Sequence, residues 1–154
     1  MNALTKTLVT LTAGLLTITT QFAADLPVGT AKGGYTPEGG KAAAITNAAA
    51  FVDQKDDRKP TILLLSDKKL PTEKWKSEFD LMRSHEKFTG VLFWLDKEGS
   101  VFRSDTYLNG RQASVAGLFE LKLESKGGKD LSGSALSHET ASEKLDVTFH
   151  ATVK

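Results

Sequence analysis

Three histidines, His85, His138 and His150, are the residues of this 154-residue chain best suited to acid–base or metal chemistry. Zinc takes three or four nitrogen, sulfur or carboxylate ligands at close spacing, and these histidines are spread over three distant segments. His85 falls near the end of an expected helix, where an imidazolium complements the negative helix terminus. His150 falls on the expected wet face of the last strand. His138-Glu139 lies in a polar stretch and could meet His150 only if the two flanking strands are neighbours. A solvated surface is therefore the favoured reading, and no metal ligand is assigned. A hydrolase built on His138 with Glu139 or Asp105 is the least favoured function, because nothing in the spacing brings those groups together. The carboxylates Asp56-Asp57, Asp96 and Glu98 fall in expected loops, where nothing raises a pKa. Cysteine is absent, which excludes a thiol nucleophile and any disulfide. No glycine-serine-glycine nucleophile turn occurs; Gly133-Ser134 reads as strand or bulge. Gly33-Gly34 and Gly39-Gly40 lack the spacing and lysine of a phosphate loop. No catalytic residue and no cofactor follow from the sequence.

Aromatic side chains give the one binding signal. Trp75, Phe93, Trp94, Phe102 and Tyr107 cluster in the middle of the chain. Trp75 and Phe79 share a helical stripe and Phe93-Trp94 sit in the most hydrophobic run, so core packing is their stronger explanation. The candidate ligand-binding residues are Trp94 and Phe102, beside a pocket that curved sheets could enclose, and Tyr107 and Arg111, which flank the loop Leu108-Asn109-Gly110. Loops carry function disproportionately.

The elements that must position these residues are mostly strands. Asp25 to Gly40 is glycine-rich, contains Pro27 and Pro37, and reads as an entry segment with one short strand. Lys41 to Val52 is alanine-rich and fits a helix on propensity alone, while Ile45 and Phe51-Val52 leave a strand open. Asp53 to Lys59 is a charged loop before Pro60. Thr61 to Leu65 contains four consecutive aliphatic residues, the pattern of a strand covered on both faces. Leu70-Pro71-Thr72-Glu73 starts a helix that is expected to run to about Glu86 and to pack Trp75, Phe79 and Met82 on the sheet. After Gly90, Val91 to Leu95 is a strand, and Asp96-Lys97-Glu98-Gly99 turns it into Val101-Phe102. Leu118 to Glu124 alternates Phe119, Leu121 and Leu123 with charged residues before a turn at Gly127-Gly128-Lys129-Asp130. Leu145 to Val153 alternates inward Leu145, Val147, Phe149, Ala151 and Val153 with outward Asp146, Thr148, His150 and Thr152. Short strands with one helix between them predict a mainly β fold, an antiparallel sandwich or partly open barrel of about seven to eight strands. Parallel wiring would need a helix between most strands.

The N-terminus reads as an export signal: Lys6 is followed by an uncharged stretch from Leu8 to Thr20, too short and threonine-rich for a spanning helix. The expected organisation is a signal peptide over residues 1–24 and a single β-rich domain over 25–154, periplasmic or secreted. The chain carries 20 basic and 19 acidic side chains. One of the basic groups is Lys6, so the mature part is balanced, and attraction to nucleic acid or anionic lipid is not implied.

The run Ile62-Leu63-Leu64-Leu65-Ser66-Asp67-Lys68-Lys69-Leu70-Pro71, the helix, the Gly90 to Gly99 hairpin and the closing Leu145-Asp146-Val147-Thr148-Phe149-His150-Ala151 resemble a group of small exported bacterial β-domain proteins of uncharacterised function. The resemblance covers about two-thirds of the chain after the signal and brings no catalytic residue with it. It implies a bacterial periplasmic or secreted β-domain and leaves the activity open. The absence of a cofactor fingerprint, a reactive cysteine and an acid–base constellation favours a noncatalytic domain that binds an envelope or extracellular component, protein or small molecule, through loops and one sheet edge. The alternatives are a carrier of a small apolar ligand and, least favoured, the hydrolase.

Overall fold

A computed structural model describes residues 23–125 and 128–154. In chain order the strands are β1 (Thr30–Thr36), β2 (Ala43–Val52), β3 (Thr61–Ser66), β4 (Gly90–Leu95), β5 (Val101–Leu108), β6 (Arg111–Ser114), β7 (Phe119–Leu123), β8 (Asp130–Ser137) and β9 (Lys144–Thr152), with helix α1 (Glu78–Arg83) between β3 and β4. They form one antiparallel sheet in the order β6-β5-β4-β3-β2-β1-β9-β8-β7, curled into a partly open barrel. The nine strands exceed the seven to eight expected. The extra one is β6, a short and fully exposed edge strand with no buried face to impose a period on its sequence.

The two continuous apolar runs, β3 and β4, pair with each other near the middle of the sheet, Leu63 opposite Phe93 and Leu64 opposite Leu92. Each is buried on both faces, which is why neither alternates in polarity. Leu63, Leu65, Val91, Phe93 and Leu95 point into the curl, where they meet Tyr35, Ile45, Phe149 and Val147. Phe119 of β7 packs edge-on against both Phe93 and Tyr35, each at 6.4 Å between ring centroids, so residues from β1, β4 and β7 meet across the interior. The Tyr35 hydroxyl leaves this core by donating to Glu143 Oε2 at 2.6 Å.

Strand β2 resolves the helix-or-strand ambiguity of Lys41 to Val52 in favour of strand. It lies between β1 and β3, and the end of the chain also crosses it, with Ala50 bridging Val153 and its carbonyl accepting from Lys154 N at 3.1 Å. Backbone approaches from three sides, so Ala48 and Ala50 fit where larger side chains would not. Tertiary pairing overrides alanine's helix propensity there. Gly33 marks the sharpest bend of β1. It adopts φ +151°, and a Cβ there would lie 1.9 Å from the Asp146 carbonyl oxygen, at a place where the β1–β2 register shifts.

Neighbouring strands are consecutive in the chain everywhere except at β1–β9. Counting directions around the sheet makes the two edge strands, β6 and β7, run the same way, although they follow one another in sequence. Side-by-side parallel strands would need a crossover of a dozen or more residues, and only Val115 to Leu118 separate them. Val115 N still donates to Ser104 of β5, and Leu118 O already accepts from His138 N after β8. The chain therefore changes partner within Ala116-Gly117, with Gly117 at φ +67°. β6 and β7 are thus the two open edges of the curled sheet, joined through this short connection rather than paired with each other.

The turns at Asp96 to Gly99 and Asn109-Gly110 are formed as their residues predict. Gly99 N donates to Asp96 O at 3.1 Å, and Asn109 and Gly110 both have positive φ in a two-residue hairpin turn. The expected turn at Gly127 to Asp130 lies partly outside the described residues, as does nearly all of the expected signal peptide. No helix among the described residues is long and apolar enough to cross a membrane.

The helix differs from expectation. Thr72–Lys74 is a 3-10 turn, the chain is extended at Trp75, and α1 spans six residues. Ser77 starts it by accepting from Asp80 N, and Asp80 in turn accepts from Lys76 N at 2.8 Å. These local bonds separate Trp75 from α1 and break the expected stripe. Trp75 and Leu81 are buried, whereas Phe79 and Met82 face solvent.

Candidate functional site

The outward face of β3, β4 and β5 carries a second apolar cluster of Phe51, Ile62, Leu64, Leu92, Trp94 and Tyr107, covered by Leu70, Trp75, Leu81 and Phe88 from the β3–β4 connection. α1 is held over this face by polar contacts at its first residue. Asp53 Oδ2 accepts from Glu78 N at 2.9 Å, and Arg103 of β5 grips the Glu78 carboxylate through Nη1 at 2.9 Å and Nη2 at 2.8 Å. The same guanidinium lies over the Trp94 ring at 4.0 Å and donates from Nε to Asp105 Oδ1 at 3.1 Å.

Asp105 is 0% exposed. Besides Arg103, it accepts from Ser114 Oγ at 2.9 Å and from the Gln112 amide, both across the β5–β6 hairpin. A buried carboxylate needs such compensation, because an unpaired one carries a penalty of several kcal/mol. Arg103 thus joins α1, β5 and, through Asp105, the edge strand β6.

Tyr107 follows on the same face of β5. Its ring stacks on Phe88 at 4.7 Å and 14°, and the residue is 4% exposed. Its hydroxyl is the buried side-chain polar atom left without a hydrogen-bond partner among the described residues. Burial first, then the nearby Glu78 and Asp105 carboxylates, push the phenol well above its usual pKa, so it stays protonated and is available as a donor.

Tyr107 lines a cleft of about 370 Å³ between the α1 end and the β5–β6 hairpin. Leu81, Met82 and Phe88 form its apolar walls, and His85, Lys87 and Arg111 its basic rim. The hairpin tip is fixed against the opposite wall, since Gly110 N donates to Phe88 O at 3.1 Å. A side chain at Gly110 would lie 3.2 Å from the Glu86 carbonyl. Glu86 is engaged by Lys68 at 3.0 Å, while Lys87 and Arg111 enter no ion pair among the described residues. The cleft can therefore supply an apolar bed, a neutral donor and two uncommitted cations.

Of the residues singled out in the sequence, Tyr107 and Arg111 share this cleft. Trp94 lies beneath Arg103, and Phe102 is exposed under the Arg58 guanidinium at 4.6 Å; neither lines the cleft. The Leu108 to Gly110 loop is a tight turn, with Tyr107 in β5 and Arg111 in β6. Met82, Lys87 and Phe88 carried no site signal in the sequence, and His85 stood out there only as a helix-end imidazole. Their signal would have required knowing that the segment after α1 folds back onto the hairpin. The Asn-Gly turn did contain one clue, since its two-residue geometry places Gln112 opposite Tyr107.

His138 lies elsewhere, in a shallow groove with Val101, Glu120 and Lys122, and Asp105 is committed to Arg103, Gln112 and Ser114. His150 is covered: Nδ1 lies 2.7 Å from the Leu26 carbonyl and Nε2 2.8 Å from Asp130 Oδ1. No group of three His, Asp or Glu side chains among the described residues could hold a metal ion.

Around the cleft exposed apolar side chains lie among charged groups of both signs, Glu86 in the cleft and Asp56 on Arg58 among the acids. Phe79, Met82, Phe102 and Leu108 are four of the six large apolar side chains exposed among the described residues, and they belong to α1 and β5. Lys55 at 5.2 Å and Arg83 at 4.6 Å flank the Phe79 ring. Arg58 covers Phe102, so the loop after β2 joins the two aromatics into one ridge. No protein-family model matches the chain, and neither a curated protein nor a solved structure matches it.

Proposed function

We propose that the protein is an exported, noncatalytic domain that binds an acidic protein surface in the envelope or extracellular space through the face carrying α1 and β5. The observation behind this reading is the ridge of Phe79, Met82 and Phe102 interleaved with Lys55, Arg58 and Arg83. Exposed apolar side chains concentrated on one face mark interaction surfaces, and aromatic and arginine side chains are the residues that most often anchor them. Arg58 is neutralised by Asp56 at 2.8 Å, so it is Lys55 and Arg83, flanking the Phe79 ring, that give this face its preference for an acidic partner. The carboxylates Glu78 and Asp105 on this face are tied up with Arg103, which supports binding over turnover.

The test places a photoactivatable phenylalanine at Phe79, Phe102 and, as a control on another face, Lys144 in the native host. A discrete adduct at residues 79 and 102, absent at 144 and lost on combining Lys55→Glu with Arg83→Glu, is the expected result. Equal labelling at all three positions, or an adduct indifferent to charge reversal, would overturn the reading. The interior of the curl is occupied by its own side chains, so a carrier reading finds its support in the outer cleft rather than inside the barrel.

A further inference from the structure

We propose that the cleft between the α1 end and the β5–β6 hairpin binds a small carboxylate with an apolar body, whose oxygen accepts from the Tyr107 hydroxyl while Arg111 and Lys87 neutralise its charge. The inference rests on the binding-domain reading and deepens it by naming a ligand for one site on that face. Four observations on the same 370 Å³ cleft carry it. The phenol is buried without a partner, a condition that is unfavourable in a native interior. The cleft volume is at the lower end of the roughly 300–1,000 Å³ seen for small-molecule sites. Two cations at the rim have no ion-pair partner among the described residues. The walls, Leu81, Met82 and Phe88, are apolar.

The chemistry selects among ligands. A cation would face Lys87 and Arg111. A neutral hydrocarbon would cover the phenol and leave it unpaired. A phosphate dianion calls for a nest of backbone donors, whereas this site offers one hydroxyl and two flexible cations. A monocarboxylate accepts from a neutral donor and from arginine together, and its hydrocarbon body takes the place of water on the apolar walls. Met82, unbranched and 48% exposed, is the wall residue that changes rotamer at little cost and lets the cleft adapt to the ligand's apolar body.

The experiment titrates the folded chain with 3-phenylpropionate, following backbone amide resonances, with 3-phenylpropionamide as the uncharged control. Wild type should show saturable shifts at Lys87, Gly110 and Gln112, and the amide should bind about tenfold more weakly or worse. Tyr107→Phe and Arg111→Gln should each weaken 3-phenylpropionate by about fivefold or more. Without ligand, Tyr107→Phe should unfold at the same urea concentration as wild type or a higher one, because it removes a buried group that has no protein partner. Equal binding of acid and amide, shifts that never saturate, or a Tyr107→Phe variant that loses stability and keeps its affinity would overturn the assignment. The two readings fail separately. Adducts at residues 79 and 102 without carboxylate binding would leave the docking face standing and remove the cleft ligand, and the reverse result would do the opposite.

Discussion

Replacing Arg103 tests whether one guanidinium holds the α1-bearing face together. Arg103→Met keeps a chain of similar length over Trp94 but removes two hydrogen bonds to Glu78 and two to Asp105. Glu78 can recover water, since its side chain is 20% exposed, whereas Asp105, at 0%, cannot. Asp105 retains Gln112 and Ser114 as donors, but its charge is left without a counter-ion. Breaking a buried pair from one side costs about 3–5 kcal/mol. The partial exposure of Arg103 and the two remaining donors place this case at the low end, about 3 kcal/mol. With a urea slope of about 2 kcal/mol/M for a domain of this size, the unfolding midpoint should fall by about 1.5 M. Removing both charges in Arg103→Met/Asp105→Leu should recover much of that loss and leave a deficit of about 1 kcal/mol, because Gln112 and Ser114 lie at the surface and can turn to water. Urea denaturation followed by tryptophan fluorescence reads all three proteins. A single variant within 1 kcal/mol of wild type, or a double variant less stable than the single, would refute the view that Asp105 depends on Arg103.

Three further outcomes follow from local geometry. Asp53→Ala removes the acceptor for Lys55 N, Asp56 N and Glu78 N; it should cost about 2 kcal/mol, and hydrogen exchange should accelerate at the amides of α1. Gly33→Ala places a methyl group against the Asp146 carbonyl and should destabilise by more than about 1 kcal/mol, whereas Gly39→Ala, at φ +63° with open space around it, should cost about 1 kcal/mol or less on the same urea curve. His150 has a raised pKa, through the Leu26 carbonyl first and the Asp130 carboxylate second. Its contribution is fully present below its unfolded value of 6.5 and is lost as pH rises through the higher folded value. Urea midpoints measured from pH 5 to pH 9 should therefore show a decline in wild type that His150→Gln lacks.

Strand content was legible wherever burial imposed a simple period. β9 alternates because one face looks into the curl, and β3 and β4 are continuous because α1 and its flanking turns cover their second face. Legibility failed where a local bond or a distant neighbour decided the outcome. Ser77 and Asp80 cut the helical stripe at Trp75, turning Phe79 and Met82 from expected core into exposed surface. Ala50 meets Val153 and Lys154 and Ala48 donates to the Gly29 carbonyl, partners that nothing within residues 41–52 announces. At the site, Tyr107 and Arg111 stood out because an Asn-Gly turn separates them. Lys87 and Phe88 did not, because their approach to that turn depends on how the chain returns from α1. Trp94 attracted notice as an aromatic in a hydrophobic run, but its functional bearing lies in the arginine that covers it.

The partner change at Ala116-Gly117 also bears on how the protein reaches its native state. Read from β7, the sheet runs β7, β8, β9, β1 and on to β6, which is the order of a chain opened at Gly117 and rejoined between β9 and β1. Those two strands already pair with Thr30 opposite His150, so a short linker would span the junction. In the natural order, the β1–β9 ladder joins residues more than a hundred positions apart and must wait for a large loop to close. In the permuted order, every ladder joins strands consecutive in the chain, and the longest connection left is the one carrying α1 between β3 and β4. Contact order falls while the native contacts stay the same, and folding rate follows contact order more closely than stability. The β1–β9 ladder is therefore the most non-local pairing of the sheet, and its loop-closure cost is one that the natural connectivity carries and the permuted one would not.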